Sequence, residues 1–312
     1  MPRRSIRIRR GRKAVQHRVE YALFRGMVFL CGRASMKTVR RTADVMGRLA
    51  FSVLRLRRSV TLANLAMAFP EKPAGELRRI GLRTYRNFAR TFIEFLRFPV
   101  MDRDALMALC DFPGQAVLDE ARRNGKGALL ISGHFGNWEI VGPFLAAMGV
   151  AVSGIIGRQK NRAVDGATRR FREKLGMRVI RPGVAIREVY RALRSNECVA
   201  ILADQDAHAG GIFVDFMGRK ASNHQGPAVF SIRTGAPIIF GYGLRLPDGR
   251  YSIEAEPLRI DGIREATPEN VHRITQAYTS LLEKTVREHP DQYFWMHKRW
   301  KTRPPEEKQF KV

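Results

Sequence analysis

From about residue 114 onward, helical patterns alternate with apolar strand patterns, and no feature constrains the fold more. Helices are expected near 114–125, 138–148, 163–175, 184–195, 225–234 and 268–288, and strands near 128–132, 151–156, 178–180, 198–203, 237–243 and 250–256. Repeated units of this kind specify an α/β fold with a mostly parallel central sheet flanked by helices. No internal repeat, low-complexity tract or long linker interrupts the pattern.

Residues 14–97 carry helical patterns only, broken near Gly32 and at Phe69-Pro70-Glu71-Lys72-Pro73, where two prolines end any helix. After that break Leu77, Ile80, Tyr85, Phe88, Phe92 and Phe95 approximate one apolar stripe. Arg79, Arg83, Arg86, Arg90 and Arg97 keep helical spacing on another side. Two readings of this basic face stand: a solvated surface, or one turned to anionic headgroups.

Charge narrows the class of partner. The chain has 56 Lys+Arg against 29 Asp+Glu, a formal net charge of +27, and residues 1–60 hold 17 of those cations against only Glu20 and Asp44. Such an excess suits nucleic acid, phospholipid or an acidic carrier protein. In the same region Tyr21–Cys31 is apolar but interrupted by Arg25, and is shorter than the ~20 residues needed to span a bilayer. It reads as a basic amphipathic segment lying in the interface, so 1–97 is expected to be a helical membrane-interface region and 98–312 an α/β catalytic domain. No signal-peptide core or cleavage site follows the basic opening Met1–Lys13, and a location on the cytoplasmic side is expected. Cys31, Cys110 and Cys198 lack metal or redox spacing and fit buried positions in a reducing compartment.

The strand pattern at 128–132 runs directly into Gly133-His134-Phe135-Gly136-Asn137-Trp138-Glu139. An imidazole and a carboxylate at the exit of a buried strand suit either a carboxylate-oriented general base or part of a metal site. Asn137 is a good N-cap for a helix starting at Trp138, and the N–H groups around Gly136 and Asn137 could hold an oxyanion or a phosphate. Five residues along a regular helix is a rotation of ~140°, so His134 and Glu139 can meet only if His134 lies in the turn and Glu139 in the first helical turn.

Neither the zinc-protease spacing nor the serine-hydrolase elbow is present. Asp204-Gln205-Asp206 leaves a metal-dependent glycosyltransferase open, because a D-x-D at a strand end can bind a divalent cation with a sugar nucleotide. Gly157–Arg162, with Arg158 and Asn161 as candidate substrate ligands, follows another strand and suits phosphate. Trp295–Lys301 interleaves aromatics with Lys298 and Arg299, which suits RNA or lipid headgroups. No RNA-recognition signature accompanies it.

The ordered set of these blocks resembles the late lipid A acyltransferases, the lauroyl and myristoyl transferases of lipopolysaccharide assembly. The resemblance runs from Asn64-Leu65 and Phe69-Pro70 through the H-x4-E block, Arg158 to Asp165 and Leu202–Asp206. It continues through Phe213–Gly218, Gly226–Ala228 and Thr234–Pro237 to Pro290–Pro304. It implies transfer of a fatty acyl chain from an acyl carrier protein thioester to a hydroxyl of an anionic, phosphorylated glycolipid at the inner membrane. No cofactor, metal or nucleic acid is implied. His134 would be the general base and Glu139 its orienting partner; Arg158 would meet phosphate or transition-state charge, and Asp204-Gln205 matches the family's D-Q pair. Related branches acylate phosphatidylinositol mannosides, and the H-x4-E block does not separate the two.

Overall fold

The computed structural model describes residues 2–260 and 262–308; Met1 of the basic opening, Asp261 and residues 309–312 of the expected catalytic domain lie outside the described residues. In chain order come α1 (Pro2–Arg33), α2 (Met36–Arg48), a π-helical turn (Leu49–Val53), α3 (Arg58–Ala68), α4 (Ala74–Phe95), α5 (Arg103–Leu109), β1 (Cys110–Asp111) and α6 (Gln115–Arg122). The alternating part continues with β2 (Ala128–Ser132), α7 (Trp138–Ala147), β3 (Val152–Ile155), α8 (Arg162–Lys174), β4 (Arg178–Ile180), α9 (Ala185–Arg194) and β5 (Cys198–Leu202). It closes with β6 (Ile212–Phe216), β7 (Arg219–Asn223), α10 (Gly226–Thr234), β8 (Ile238–Arg245), β9 (Tyr251–Pro257), α11 (Pro268–Glu288) and α12 (Pro305–Lys308).

Seven strands form one sheet in the order β1-β9-β8-β2-β5-β3-β4, parallel throughout except for the antiparallel β8–β9 hairpin. Side chains alternate across it, because successive Cβ atoms point to opposite faces. Ala128 and Ile239 pack with Leu118 of α6 and Ile140, Phe144 and Leu145 of α7. On the other face Leu129, Ile131 and Ile238 pack against Val189 and Leu193 of α9, Phe230 of α10, and Ile274 and Tyr278 of α11. The mostly parallel sheet between two helical layers follows the expected pattern. The β6–β7 hairpin does not: it is turned by Met217 and Gly218, both at positive φ (54° and 70°), and methionine is a poor signal for such a turn.

The arginine face of α4 divides: Arg79 and Arg83 stay exposed, Arg83 within 3.4 Å of Asp291, whereas the residues that follow are drawn inward. Arg86 and Arg90 both grip Asp44 of α2 at 2.8 Å, and Arg97 donates to the carbonyls of Cys31 and Ala34. A lone carboxylate on the facing helix thus turns a basic stripe into an interhelical seam. Among the described residues no helix is long and apolar enough to cross a membrane.

Helix α4 is joined to the sheet through a buried polar network. Arg245 of β8 meets Glu94 of α4 at 2.7 Å, and the other Glu94 oxygen accepts from Asn137 at 3.0 Å and from the Tyr251 hydroxyl. Thr91, one turn earlier, donates to the carbonyl of Gly136 at 3.0 Å. Removing one member of a buried pair strands the other charge in a low dielectric. Glu94→Ala is therefore expected to lower stability by about 3–5 kcal/mol, read as a shift in the urea midpoint at unchanged slope.

Candidate active site

Two parallel strands bring the reacting groups together. The register of β2 and β5 pairs Ser132 with Leu202 and is prolonged by Ala203 N donating to Ser132 O at 2.9 Å. His134 and Asp204 each lie two residues past that pair, so their side chains meet beyond the strand ends. Nδ1 of His134 lies 2.7 Å from Oδ1 of Asp204, and the backbone N–H of His134 donates to Oδ2 at 2.8 Å. The histidine carbonyl accepts from Phe294 N at 2.9 Å, which fixes the main chain from the other side.

His134 lies in the turn before α7, with Glu139 in the first turn of that helix, as the spacing requires. Their expected contact is nevertheless replaced. Glu139 makes a two-pronged ion pair with Arg172 of α8, both bonds at 2.8 Å, while the Arg172 guanidinium stacks over Phe95. Asp204, not Glu139, holds the ring, because β5 is the immediate neighbour of β2 whereas Glu139 points toward α8. The Glu139 charge still acts on the imidazole through space.

With a proton on Nδ1 donated to the carboxylate, Nε2 is left as the acceptor, and it faces the Gln205 amide at 3.4 Å. Burial alone would push the His134 pKa down; the Asp204 charge and hydrogen bond, with Glu139, outweigh it and raise it above the ordinary value. Burial pushes Asp204 the other way, and His134 together with Arg299 draws it below the ordinary carboxylate range. The ring is 20% exposed and Asp204 only 3%, so the carboxylate is shielded while the imidazole edge stays open. Trp138 meets the ring edge-to-face at 5.2 Å and Phe294 tilts against it at 6.0 Å.

Beside this edge a cavity of about 470 Å³ runs between α7 and the sheet, well within the ~300–1,000 Å³ of small-ligand sites. His134, Glu139, Arg158 and Gln205 line its polar part; Leu130, Leu145, Ile239 and Ile253 make apolar walls, continuing to Phe112 and Leu118 toward the β9 edge. The space exists because the strands present Gly154, Ala200, Gly241 and Ala255 to it. A neutral imidazole with a bare Nε2 at the mouth of such a cavity can take a proton from a hydroxyl while an alkyl chain lies in the apolar part.

The other predicted ligands separate into two groups. Arg158 is exposed at the cavity rim and Lys298 is exposed, both open to a ligand. Arg299 is 2% exposed and donates to Ser222 O at 2.9 Å and to Asn223, so it supplies charge behind Asp204 rather than contact with substrate. Asn161 is committed as well: it caps α8 through Ala163 N and ties it to α1 through His17 O at 2.8 Å. The N–H groups of Gly136 and Asn137 are spent on Gln292 O and Gly243 O, and the Asn137 side chain caps α7. Neither is available to an oxyanion. In the D-x-D stretch both Asp204 oxygens are taken by His134, and Oδ2 of Asp206 accepts from Thr302.

Sequence reasoning overlooked Arg172, Phe294 and Tyr293. Tyr293 is buried against Asp204, and its phenol is held neutral, first by burial and then by that carboxylate. Beside the D-Q match of Asp204-Gln205, the signal for the Asp204 contact was positional, since it follows its strand by the same two residues as His134.

Residues 9–302 match the family described as bacterial lipid A biosynthesis acyltransferase. Among similar proteins, a phosphatidylinositol mannoside acyltransferase of Mycobacterium tuberculosis (strain CDC 1551 / Oshkosh) is 26% identical over 246 residues, 76% of this chain and 75% of that one. The lipid A biosynthesis palmitoleoyltransferase of Escherichia coli (strain K12) is 24% identical over 263 residues, 83% of each chain. The lipid A biosynthesis lauroyltransferase of the same strain is 22% identical over 288 residues, 89% of this chain and 90% of that one. With the family match spanning helices and sheet alike, the chain belongs to the bacterial lipid A biosynthesis acyltransferases and is an O-acyltransferase.

Proposed function

We propose that this membrane glycolipid acyltransferase moves a fatty acyl chain from an acyl carrier protein thioester to a hydroxyl of a lipid A precursor, at the cytoplasmic face of the inner membrane. The observation that carries the reading is the His134 imidazole, oriented by Asp204, at the mouth of an apolar cavity with Arg158 on its rim. The surplus of 56 Lys+Arg over 29 Asp+Glu supports both a phosphorylated acceptor and an acidic donor protein.

In this reaction Nε2 of His134 takes the hydroxyl proton as the oxygen attacks the thioester carbonyl. A C–O bond forms, and the tetrahedral oxyanion collapses by breaking the C–S bond. The thiolate leaves with the proton returned by the imidazolium, whose charge Asp204 balances. With the Gly136 and Asn137 amides committed elsewhere, the Gln205 amide and the Arg158 guanidinium are the groups at the mouth suited to oxyanion or phosphate charge. The mycobacterial relatives favour a second acceptor, a phosphatidylinositol mannoside. Mass spectrometry of glycolipids from a deletion strain distinguishes the two by which lipid loses an acyl group.

Four outcomes are expected. His134→Ala abolishes acyl transfer from acyl-carrier-protein donor in detergent while leaving the circular dichroism spectrum intact; near wild-type turnover would sink the mechanism. Asp204→Asn can accept from the His134 amide only by turning its own N–H₂ toward Nδ1, which imposes the wrong tautomer, so turnover should fall by ~10²–10⁴. Because Asp204 raises the histidine pKa, wild-type kcat/KM should climb with pH through a value above the ordinary 6.5, and the residual activity of Asp204→Asn should climb at lower pH. Ala200→Phe, directed into the cavity, should cut kcat/KM by about 10–200-fold for long-chain donors and less for short ones, with no change in Tm.

A further inference from the structure

Between α2 and α3 the chain makes a corner with an unusual surface. Val53, Leu54 and Leu56 are 66%, 64% and 56% exposed, and Leu49 and Met46 extend the apolar patch along the preceding turn. Cations alternate with these side chains: Arg48, Arg55, Arg57 and Arg58. No acidic residue occurs between Asp44 and Glu71. The backbone is correspondingly uncommon, a π-helical turn followed by Arg55 and Arg57 at φ 50° and 55°. In that conformation Val53, Leu54 and Leu56 all stay exposed.

The corner is tied to the active site from beneath. The Tyr85 hydroxyl donates to Leu56 O, and Arg57 donates to Met296 O at 3.1 Å. Phe51, Tyr85 and Met296 form one buried cluster, joined by Phe88 and Phe294. Phe88 in turn stacks on Trp138, and Phe294 lies against His134. Continuous aromatic packing, Phe51 and Tyr85 and then Phe88 and Phe294, therefore links the corner to the imidazole.

We propose that the corner Leu49–Arg58 is a membrane-insertion tip, distinct from α1, that seats the active-site mouth on an anionic bilayer. Leucines flanked by arginines, with no carboxylate among them, fit the boundary between acyl chains and anionic headgroups: the apolar groups enter and the guanidinium groups remain at phosphate level. A protein partner would leave Arg48 and Arg55, which form no ion pair among the described residues, in need of matched carboxylates. Lipid phosphates supply such partners at any rotation of the tip. The tip delivers an acceptor that never has to leave the bilayer to the base behind this aromatic packing. Its catalytic arm rests on the glycolipid acyltransferase reading; its binding arm does not.

The binding arm uses Leu54→Trp. Trp295 and Trp300 are buried and Trp138 lies half-buried against Phe88, so a blue shift over the wild-type signal reports position 54. The emission should shift and be quenched by brominated lipid in phosphatidylcholine vesicles containing phosphatidylglycerol, more weakly without the anionic lipid and at high salt. No shift in vesicles that still pellet the protein overturns the proposal.

The catalytic arm compares one variant on two forms of acceptor. Leu54→Asp/Leu56→Asp should lose at least about tenfold in turnover on vesicle-embedded glycolipid, yet stay within about twofold of wild type on detergent-dispersed glycolipid. Equal loss on both forms assigns the leucines an internal structural role, and no loss on vesicles removes them from the interface. Wild-type protein inactive on both forms refutes the proposed reaction while the tryptophan signal still decides the tip.

Discussion

The parallel pairing of β2 with β5 is the constraint on which the site depends. Its register carries Ser132 opposite Leu202, and two residues later the chains deliver an imidazole and a carboxylate to the same point. A slip of either strand by one residue would turn its side chain to the other face of the sheet and part the two. The pairing is held by hydrogen bonds between the strands and by the apolar layers on both faces, so the geometry of His134 and Asp204 rests on the core itself.

A second set of interactions fixes the turn that carries His134. Thr91 and Glu94 reach across from α4 to the Gly136 carbonyl and the Asn137 side chain, and Arg245 with Tyr251 completes the network from the sheet. Gln292 receives the Gly136 amide, and Phe294 donates to the histidine carbonyl. The glycine at 136 is required here: it sits at φ 55°, and a Cβ would lie 2.0 Å from the carbonyl oxygen of Gly243. The helical region thus does more than present a surface, since one of its helices holds the turn that carries His134.

The positive charge of the chain divides into two populations. Arg86, Arg90, Arg172, Arg245 and Arg299 are drawn inward by carboxylates, carbonyls and aromatic faces, where each supports packing or electrostatics. Arg158, Lys298 and, at the α2–α3 corner, Arg48 and Arg55 remain open to ligands. Composition registers both alike, because a cation paired with a backbone carbonyl or stacked on a ring leaves the formal charge unchanged.

What the sequence determined by itself was the α/β architecture, most elements from 114 onward, and the place of His134 outside the helix and of Glu139 within it. These are local: alternation of apolar patterns, Asn137 as a cap and spacing along one turn are all written in neighbouring residues. Only the tertiary structure decided which carboxylate holds the imidazole, because Asp204 is 70 residues away and adjacency of β2 and β5 is a property of the sheet order. For the same reason it moved Glu139 to Arg172, Arg299 and Asn161 to internal roles, and Arg86 and Arg90 to Asp44. The cavity, too, arises only when Gly154, Ala200, Gly241 and Ala255 from four strands face one helix, a coincidence across space that no single stretch of chain records.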